Sequence, residues 1–231
     1  MLKPATTWFA QRGWDVAPFQ RVAWEAFLAG KDGLIHSPTG SGKTLAAIVG
    51  PLLERLAEAE SSEDTDPIRV IWITPLRALA SDTAAAVREA VESLGVPFSV
   101  ALRTGDTSSA EKTKQRKKLP SILVTTPESL TLLLTHQEVL DQFKGLRAVV
   151  CDEWHELLAS KRGVQTDLAL SRLRNLAPKL RVWGVSATLG NVQEAAQALV
   201  GPHRPPPELV RGTAEKTIEV ECLLPEKVER L

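Results

Sequence analysis

The amino-acid sequence predicts an α/β domain built on a mostly parallel sheet with helices on both faces. Three observations carry that prediction. Apolar runs of strand length alternate with stretches of helical period, a glycine-rich turn joins the first strand to a helix, and an acidic pair closes a later strand. The length of 231 residues suits one large domain or two small ones, at about one domain per 150 residues. It is enough to bury a sizeable core.

Taken in order, the first clear helix places Phe19, Val22, Ala23, Ala26 and Phe27 on one stripe and leaves Gln20 and Trp24 on its flank, where Gln20 can meet a ligand. Strands are predicted at residues 33–37, 69–74, 98–102, 122–125, 146–151 and 181–185. After the first strand, Leu45, Ile48, Val49, Leu52, Leu53 and Leu56 recur at helical spacing, with Pro51 expected to kink or break the helix. Residues 58–66, acidic and Ser-rich, and the basic run of Lys112, Lys114, Arg116, Lys117 and Lys118 read as solvated surface. After Gly201 the pattern changes. Pro202 and Pro205-Pro206-Pro207 form a stiff connector before one more alternating run, 217–224. The expected division is therefore a nucleotide-type domain over 1–201 and a linker with one strand over 202–231.

Composition excludes several classes. With 28 Lys+Arg against 28 Asp+Glu the formal charge is +0, so any basic surface for a polyanion is local. No apolar run approaches the roughly 18 residues that span a bilayer, and the first residues hold no signal-peptide core. The expectation is a cytoplasmic protein with no membrane partner. Cys151 and Cys222 are the only cysteines, too few for a disulfide framework or a Cys-rich zinc site, and both are expected as reduced thiols.

The first strand runs into Ser37-Pro38-Thr39-Gly40-Ser41-Gly42-Lys43-Thr44 and then a helix. Gly40 and Gly42 let backbone N–H groups turn inward around phosphate oxygens, with Thr39 and Ser41 between them. Lys43 supplies a point charge near the β/γ oxygens, the helix N-terminus adds its dipole, and Thr44 offers a hydroxyl to Mg2+. Ser37 stands where the general pattern has its first glycine. The strand 146–151 ends in Asp152-Glu153-Trp154-His155, so carboxylates emerge at the edge where open α/β sheets bind ligands. Asp152 can hold Mg2+, and Glu153 can orient and deprotonate an attacking water. Taken alone, such a pair more often marks a helix N-terminus, and it is the glycine-rich loop earlier in the chain that turns the reading to metal and water.

These elements, in this chain order, resemble a superfamily-two helicase. Gln20 resembles the Q motif and Ser37 to Thr44 motif I. Thr74-Pro75-Leu76-Arg77-Ala78-Leu79-Ala80 is similar to motif Ia and Thr125-Thr126-Pro127-Glu128-Ser129-Leu130 to motif Ib. Asp152 to His155 is similar to a DExH motif II, and Ser186-Ala187-Thr188 to motif III. Trp8-Phe9 with Gly13-Trp14, the stretch from Asp152 to Leu158, Ser160-Lys161-Arg162-Gly163-Val164-Gln165 and residues 186–191 resemble the large helicase-related (Lhr) family, above all its DNA-ligase-associated DEXH members.

The resemblance implies a RecA-like P-loop NTPase fold and an ATP-dependent DNA helicase or translocase of bacterial DNA repair, reported as moving 3′ to 5′. It implies ATP and Mg2+ as cofactors and Gln20 as reader of the adenine edge, with Trp24 beside it. It also implies a relay through His155, Ser186 and Thr188 that couples hydrolysis to domain movement. Arg77, Thr104, Thr126 and Pro127 would then meet single-stranded DNA, with RNA or a hybrid left open. The same residues equally suit bland roles, Thr126 and Ser81 as helix caps, Pro127 as a first-turn proline and Arg77 as a solvated side chain.

Motors of this type clamp ATP between two such domains, a pair needing on the order of 400 residues. The chain is therefore expected to be the first domain of such a pair, to turn over little by itself, and to work with a second domain in cis and with ligase or nuclease partners. Two other readings are a non-enzymatic, ATP-dependent nucleic-acid-binding module acting through a partner, and a small kinase.

Overall fold

The structure, a computed structural model, describes residues 1–58 and 67–212. The predicted strand at 217–224, Cys222 and nearly all of the acidic stretch at 58–66 lie outside them.

Two helices, α1 (Lys3–Gln11) and α2 (Pro18–Leu28), precede strand β1 (Gly33–His36) and helix α3 (Lys43–Ala57). Then come β2 (Val70–Ile73), α4 (Arg77–Ser93), β3 (Val100–Arg103), α5 (Ser109–Lys117), β4 (Ile122–Thr125), α6 (Pro127–Leu134) and the short α7 (Gln137–Leu140). A 3-10 turn leads to β5 (Ala148–Cys151), α8 (Trp154–Leu157), α9 (Lys161–Leu176), β6 (Arg181–Ser186), α10 (Val192–Val200) and β7 (Glu208–Arg211). The strands form one seven-stranded sheet in the order β3-β4-β2-β5-β6-β1-β7, and every pairing is parallel.

Both faces of the sheet are covered, which is why its strands are continuous apolar runs rather than alternating ones. On one face Phe27, Ile48, Leu52, Trp72, Val87, Val124 and Trp183 pack together. On the other, Leu34, Ile71, Leu133, Phe143, Trp154, Leu170 and Leu199 do so. No helix of the described residues is long and apolar enough to cross a membrane.

Four expectations change. Helix α3 runs unbroken through Pro51. Pro51 removes only the hydrogen bond to the Ala47 carbonyl, and buried Ile48, Val49, Leu52 and Leu53 on either side hold the helix in register. Val22 is 42% exposed while Gln20 and Trp24 are buried, so the inward face of α2 is turned towards the supposed flank, where α3 packs against it. Ser81 lies inside α4, whose N-cap is Leu76, and so caps nothing. Finally, the sheet extends beyond residue 201: the proline-rich connector delivers β7 beside β1, with Gly33 opposite Glu208 and His36 opposite Arg211.

Candidate active site

All the chemistry-bearing loops leave the carboxyl ends of the parallel strands, so the topology gathers them at one edge. Behind β1 the loop 37–42 turns through Gly40 at φ 76° and Gly42 at φ 88°, conformations that glycine adopts without steric cost. Lys43 Nζ donates to the Pro38 carbonyl at 2.8 Å, folding the side chain back over the loop, and Ser37 Oγ donates to Ser41 Oγ at 2.8 Å. Thr39 and Gly40 are exposed, whereas Ser41, Gly42 and Thr44 are half-buried.

A small residue at position 37 has a packing reason. A Cβ placed on Gly212, just past β7, would lie 2.2 Å from Ser37 Oγ. The Ser37 N–H also donates to the Ser186 carbonyl at 3.2 Å, which ties the phosphate loop to the end of β6.

Gln20 closes the loop from the other side. Its Nε2 donates to the Gly42 carbonyl at 3.2 Å, and its Oε1 accepts from the Ala17 N–H at 3.0 Å. A Cβ at Gly42 would meet Gln20 Nε2 at 2.7 Å, so glycine there serves both the turn and the amide. Trp24 is wholly buried and its Nε1 donates to the Leu45 carbonyl at 3.1 Å. It is a core anchor for α2 on α3, as most of the tryptophans are expected to be.

Asp152 follows β5, its N–H donating to the Ile73 carbonyl at 2.8 Å. Its carboxylate accepts from Trp72 Nε1 at 3.2 Å and from the Glu153 N–H at 3.0 Å. Burial pushes the Asp152 carboxyl up to about 6, with the Glu153 charge adding to the rise and the Trp72 hydrogen bond and the Lys43 charge opposing it. Lys43 is thus within electrostatic reach of Asp152. Glu153 sits at φ 45°, a left-handed conformation that costs a non-glycine residue about 1–3 kcal/mol and concentrates at functional sites.

The next residue but one connects outward. His155 Nδ1 lies 2.9 Å from Ser186 Oγ and 3.4 Å from Glu153 Oε2, and the Ser186 hydroxyl donates to the Thr188 carbonyl at 3.3 Å. His155, Ser186 and Thr188 are therefore one chain of contacts starting at Glu153.

The remaining predicted residues occupy the loops after β2, β3 and β4. Arg77 is largely exposed, with Nη1 3.4 Å from Asp106 Oδ1, and its guanidinium lies so close to Gly105 that a Cβ there would be 2.9 Å from Cζ. Thr104 is buried: its Oγ1 accepts from the Asp106 N–H at 3.3 Å and its own N–H donates to Thr107 Oγ1 at 2.9 Å. Thr126 is the N-cap of α6, accepting from the Ser129 N–H at 3.4 Å, and Pro127 is in the first turn. The Thr125 hydroxyl donates to the Arg103 carbonyl at 2.7 Å, which brings two of these loops side by side. Sequence reasoning assigned no role to Asp106, Glu128 or Arg162, which brace the loops. The signal for Arg162 was present in Ser160-Lys161-Arg162-Gly163, a cap followed by a glycine.

Residues 17–195 match the DEAD/DEAH box helicase family. The chain is 36% identical over 233 residues to the ATP-dependent helicase Lhr-Core of Methanocaldococcus jannaschii, covering 96% of this chain and 27% of that protein. It is 35% identical over 230 residues to the Lhr helicase/probable uracil glycosylase of Mycolicibacterium smegmatis, covering 94% of this chain and 15% of that one. Among solved structures, Mycobacterium smegmatis helicase Lhr bound to ssDNA and AMP-PNP superposes with a TM-score of 0.80 at 31% identity, over 94% of this chain and 28% of that chain. The chain thus spans about a quarter or less of the length of these relatives. The seven-stranded parallel sheet is that of a RecA-like helicase domain. With 17–195 matched and the phosphate loop and acidic strand end meeting at one edge of the sheet, the chain belongs to the DEAD/DEAH box helicase family, its homologues there being Lhr-type ATP-dependent helicases.

Proposed function

We propose that this chain is the ATP-binding motor domain of an ATP-dependent DNA helicase or translocase that couples hydrolysis of Mg-ATP to its grip on single-stranded DNA. The observation that carries the reading is the contact chain Glu153, His155, Ser186, Thr188, which leads from the acidic strand end to the loop after β6, next to the phosphate loop.

In this reading the amides of Thr39 to Thr44 cradle the phosphates and Lys43 leaves the Pro38 carbonyl for the β/γ oxygens. Glu153, held towards the site by its left-handed backbone, orients water and takes its proton. The Thr44 hydroxyl and the Asp152 carboxylate are hard oxygen donors at one edge, a set that suits Mg2+. Mg2+ bound there would neutralise charge on the transferred phosphoryl oxygens. Gln20, fixed on Gly42, positions the phosphate loop, and its amide would read an adenine edge. Arg77 and the backbone of the loops holding Thr104, Thr126 and Pro127 would hold phosphates of one strand.

Resemblance to DNA-ligase-associated members and the ssDNA in the Lhr neighbour support DNA as substrate and DNA repair as setting, with a ligase or nuclease as partner class. A second RecA-like domain in cis would supply the remaining charge at the phosphates. An arginine supplied from such a second domain is worth about 10³- to 10⁵-fold in related phosphoryl transfers, so the 231-residue chain alone is expected to turn over poorly.

The test is steady-state ATPase with and without single-stranded DNA, for this chain and for the longer protein that contains it, each with Lys43→Ala. DNA-stimulated hydrolysis by the longer protein, abolished by Lys43→Ala, supports the motor. If ATP-dependent DNA retention occurs without hydrolysis and Glu153→Gln leaves it unchanged, the domain is a nucleotide-gated binding module instead.

A further inference from the structure

Residues 160–165 take no part in the chemistry described so far, yet they carry a side chain that joins two of the loops. Ser160 caps α9, its Oγ accepting from the Gly163 N–H at 3.1 Å and donating to the Leu157 carbonyl at 2.8 Å. Gly163 presses on the same carbonyl: a Cβ there would lie 2.0 Å from Leu157 O. The first turn of α9 is therefore fixed against the end of α8, the helix that begins directly after Glu153.

From that turn Arg162 reaches two other segments. Its Nε donates to Glu128 Oε1 at 2.6 Å and its Nη1 to the Pro75 carbonyl at 3.0 Å. Pro75 belongs to the turn that presents Arg77. Glu128 follows Thr126 and Pro127 in the first turn of α6. Both side chains are nearly half exposed, 46% and 42%, and an exposed ion pair contributes little to stability. Position is what this pair provides. The planar guanidinium can hold two divergent acceptors at once, which a lysine ammonium does not reproduce. It also offsets the Glu128 carboxylate beside loops where phosphates are expected. Hydrogen bonds to the Glu128 backbone N–H, to Arg162 and to the Thr126 hydroxyl hold the Glu128 carboxyl below its ordinary range against the opposing effect of burial.

We propose that Arg162 is a positioning residue that locks the loops 74–77 and 125–128 to the helix following Asp152-Glu153, so that strand binding and ATP hydrolysis act on each other through one guanidinium. This rests on the motor reading above.

The experiment uses the longer protein that contains this chain. ATPase is measured against single-stranded DNA concentration, and affinity for a fluorescent ATP analogue is measured in parallel. Arg162→Ala is expected to raise the half-stimulating DNA concentration by about 3- to 30-fold, the range typical of residues that carry coupling between sites. Nucleotide affinity stays at the wild-type value. Arg162→Lys should recover part of the loss, and Glu128→Gln, which removes one arm of the bridge, should reproduce part of it and serves if Arg162→Ala does not fold. An unchanged half-stimulating concentration in folded Arg162→Ala or Glu128→Gln overturns the proposal while leaving the motor reading intact. So does a parallel fall in melting temperature, nucleotide affinity and DNA affinity, which marks a structural role. If the wild-type protein shows no DNA-stimulated hydrolysis, the motor reading itself falls and takes this proposal with it.

Discussion

Asp152 shows what the site costs its own residues. Its carboxyl titrates near 6 rather than at the ordinary 3.8, chiefly because it is buried. A carboxyl whose folded pKa is raised binds its proton more tightly in the folded state. The charged form therefore subtracts nothing below the unfolded value and its full cost above about 6. A shift of about two units corresponds to about 3 kcal/mol at most. Wild-type protein without nucleotide should lose stability relative to Asp152→Asn as pH rises from about 4 to about 6. Comparing the variants removes every other carboxyl from the measurement, and also the constant cost of an asparagine facing two N–H donors, Trp72 Nε1 and Glu153 N. At about 2–4 °C per kcal/mol for a domain of this size, the melting-temperature difference should change by about 4–10 °C. A difference flat across that range would mean that the carboxylate is solvated. Cys151, next along the strand, is held neutral by burial, its thiol pushed far above the ordinary value. Its peptide should resist alkylation in the native chain and react on unfolding, which mass spectrometry resolves. Rapid native alkylation would contradict the packing of β5.

At the scale of elements, α2 and α3 form the support beneath the phosphate loop. They approach closely at Gly50, where a Cβ would lie 2.9 Å from Phe27 Cβ and 3.0 Å from the edge of its ring. Helix propensity alone favours Gly50→Ala by about 1 kcal/mol, but Phe27 Cβ is fixed to its backbone and cannot rotate aside. Overpacking of this kind costs about 1–3 kcal/mol, so the variant should be destabilised on balance and melt a few degrees lower by calorimetry. A higher melting temperature would show that the two helices separate freely. This pair also marks the limit of the sequence pattern. Periodicity located α3 but not its continuity through Pro51, because a proline penalty is local while the packing that overrides it comes from other elements. Periodicity likewise placed Val22 inward and Trp24 aside, because a stripe of similar apolar residues does not say which edge a neighbour covers. Six strands are legible as apolar runs. β7 is not, since Glu208-Leu209-Val210-Arg211 is short and follows prolines that read as linker. Residue type and order were enough to place the loops 37–44 and 152–155 at one edge of the sheet. The pairings that brace the loops after β2, β3 and β4, Arg77 with Asp106 and Arg162 with Glu128, were not legible, because a charge pair between segments far apart in sequence leaves no periodic trace, even where a local motif such as Ser160-Lys161-Arg162-Gly163 marks one partner.

For the whole molecule, strand order divides the edge into two halves. β5, β6 and β1 are consecutive in the sheet and deliver Asp152, Ser186 and the phosphate loop, whereas β3, β4 and β2 deliver the loops with Thr104, Thr126 and Arg77. The halves meet where β2 pairs with β5, and there Trp72 of the one half donates to Asp152 of the other. In the proposed motor, a change of charge at the nucleotide would lie one hydrogen bond from the strand that carries the loops proposed to hold nucleic acid. The same division bounds the electrostatics of binding. The chain is neutral overall at +0, and two arginines beside these loops are paired, Arg77 with Asp106 and Arg162 with Glu128. In the proposed motor, grip on a strand would rest on a few phosphates met by backbone N–H groups and Arg77 rather than on a broad basic surface. Single-stranded DNA releases counterions with a slope of about −0.7 per phosphate neutralised, so about two to four contacts give a slope of about −1.5 to −3 in log affinity against log salt. Fluorescence anisotropy of a labelled oligonucleotide on this chain, with a non-hydrolysable ATP analogue and varied salt, measures it. A slope steeper than about −5 would require a continuous basic track and would move the binding surface away from the loops at the sheet edge, towards helices such as α5 with its lysine run.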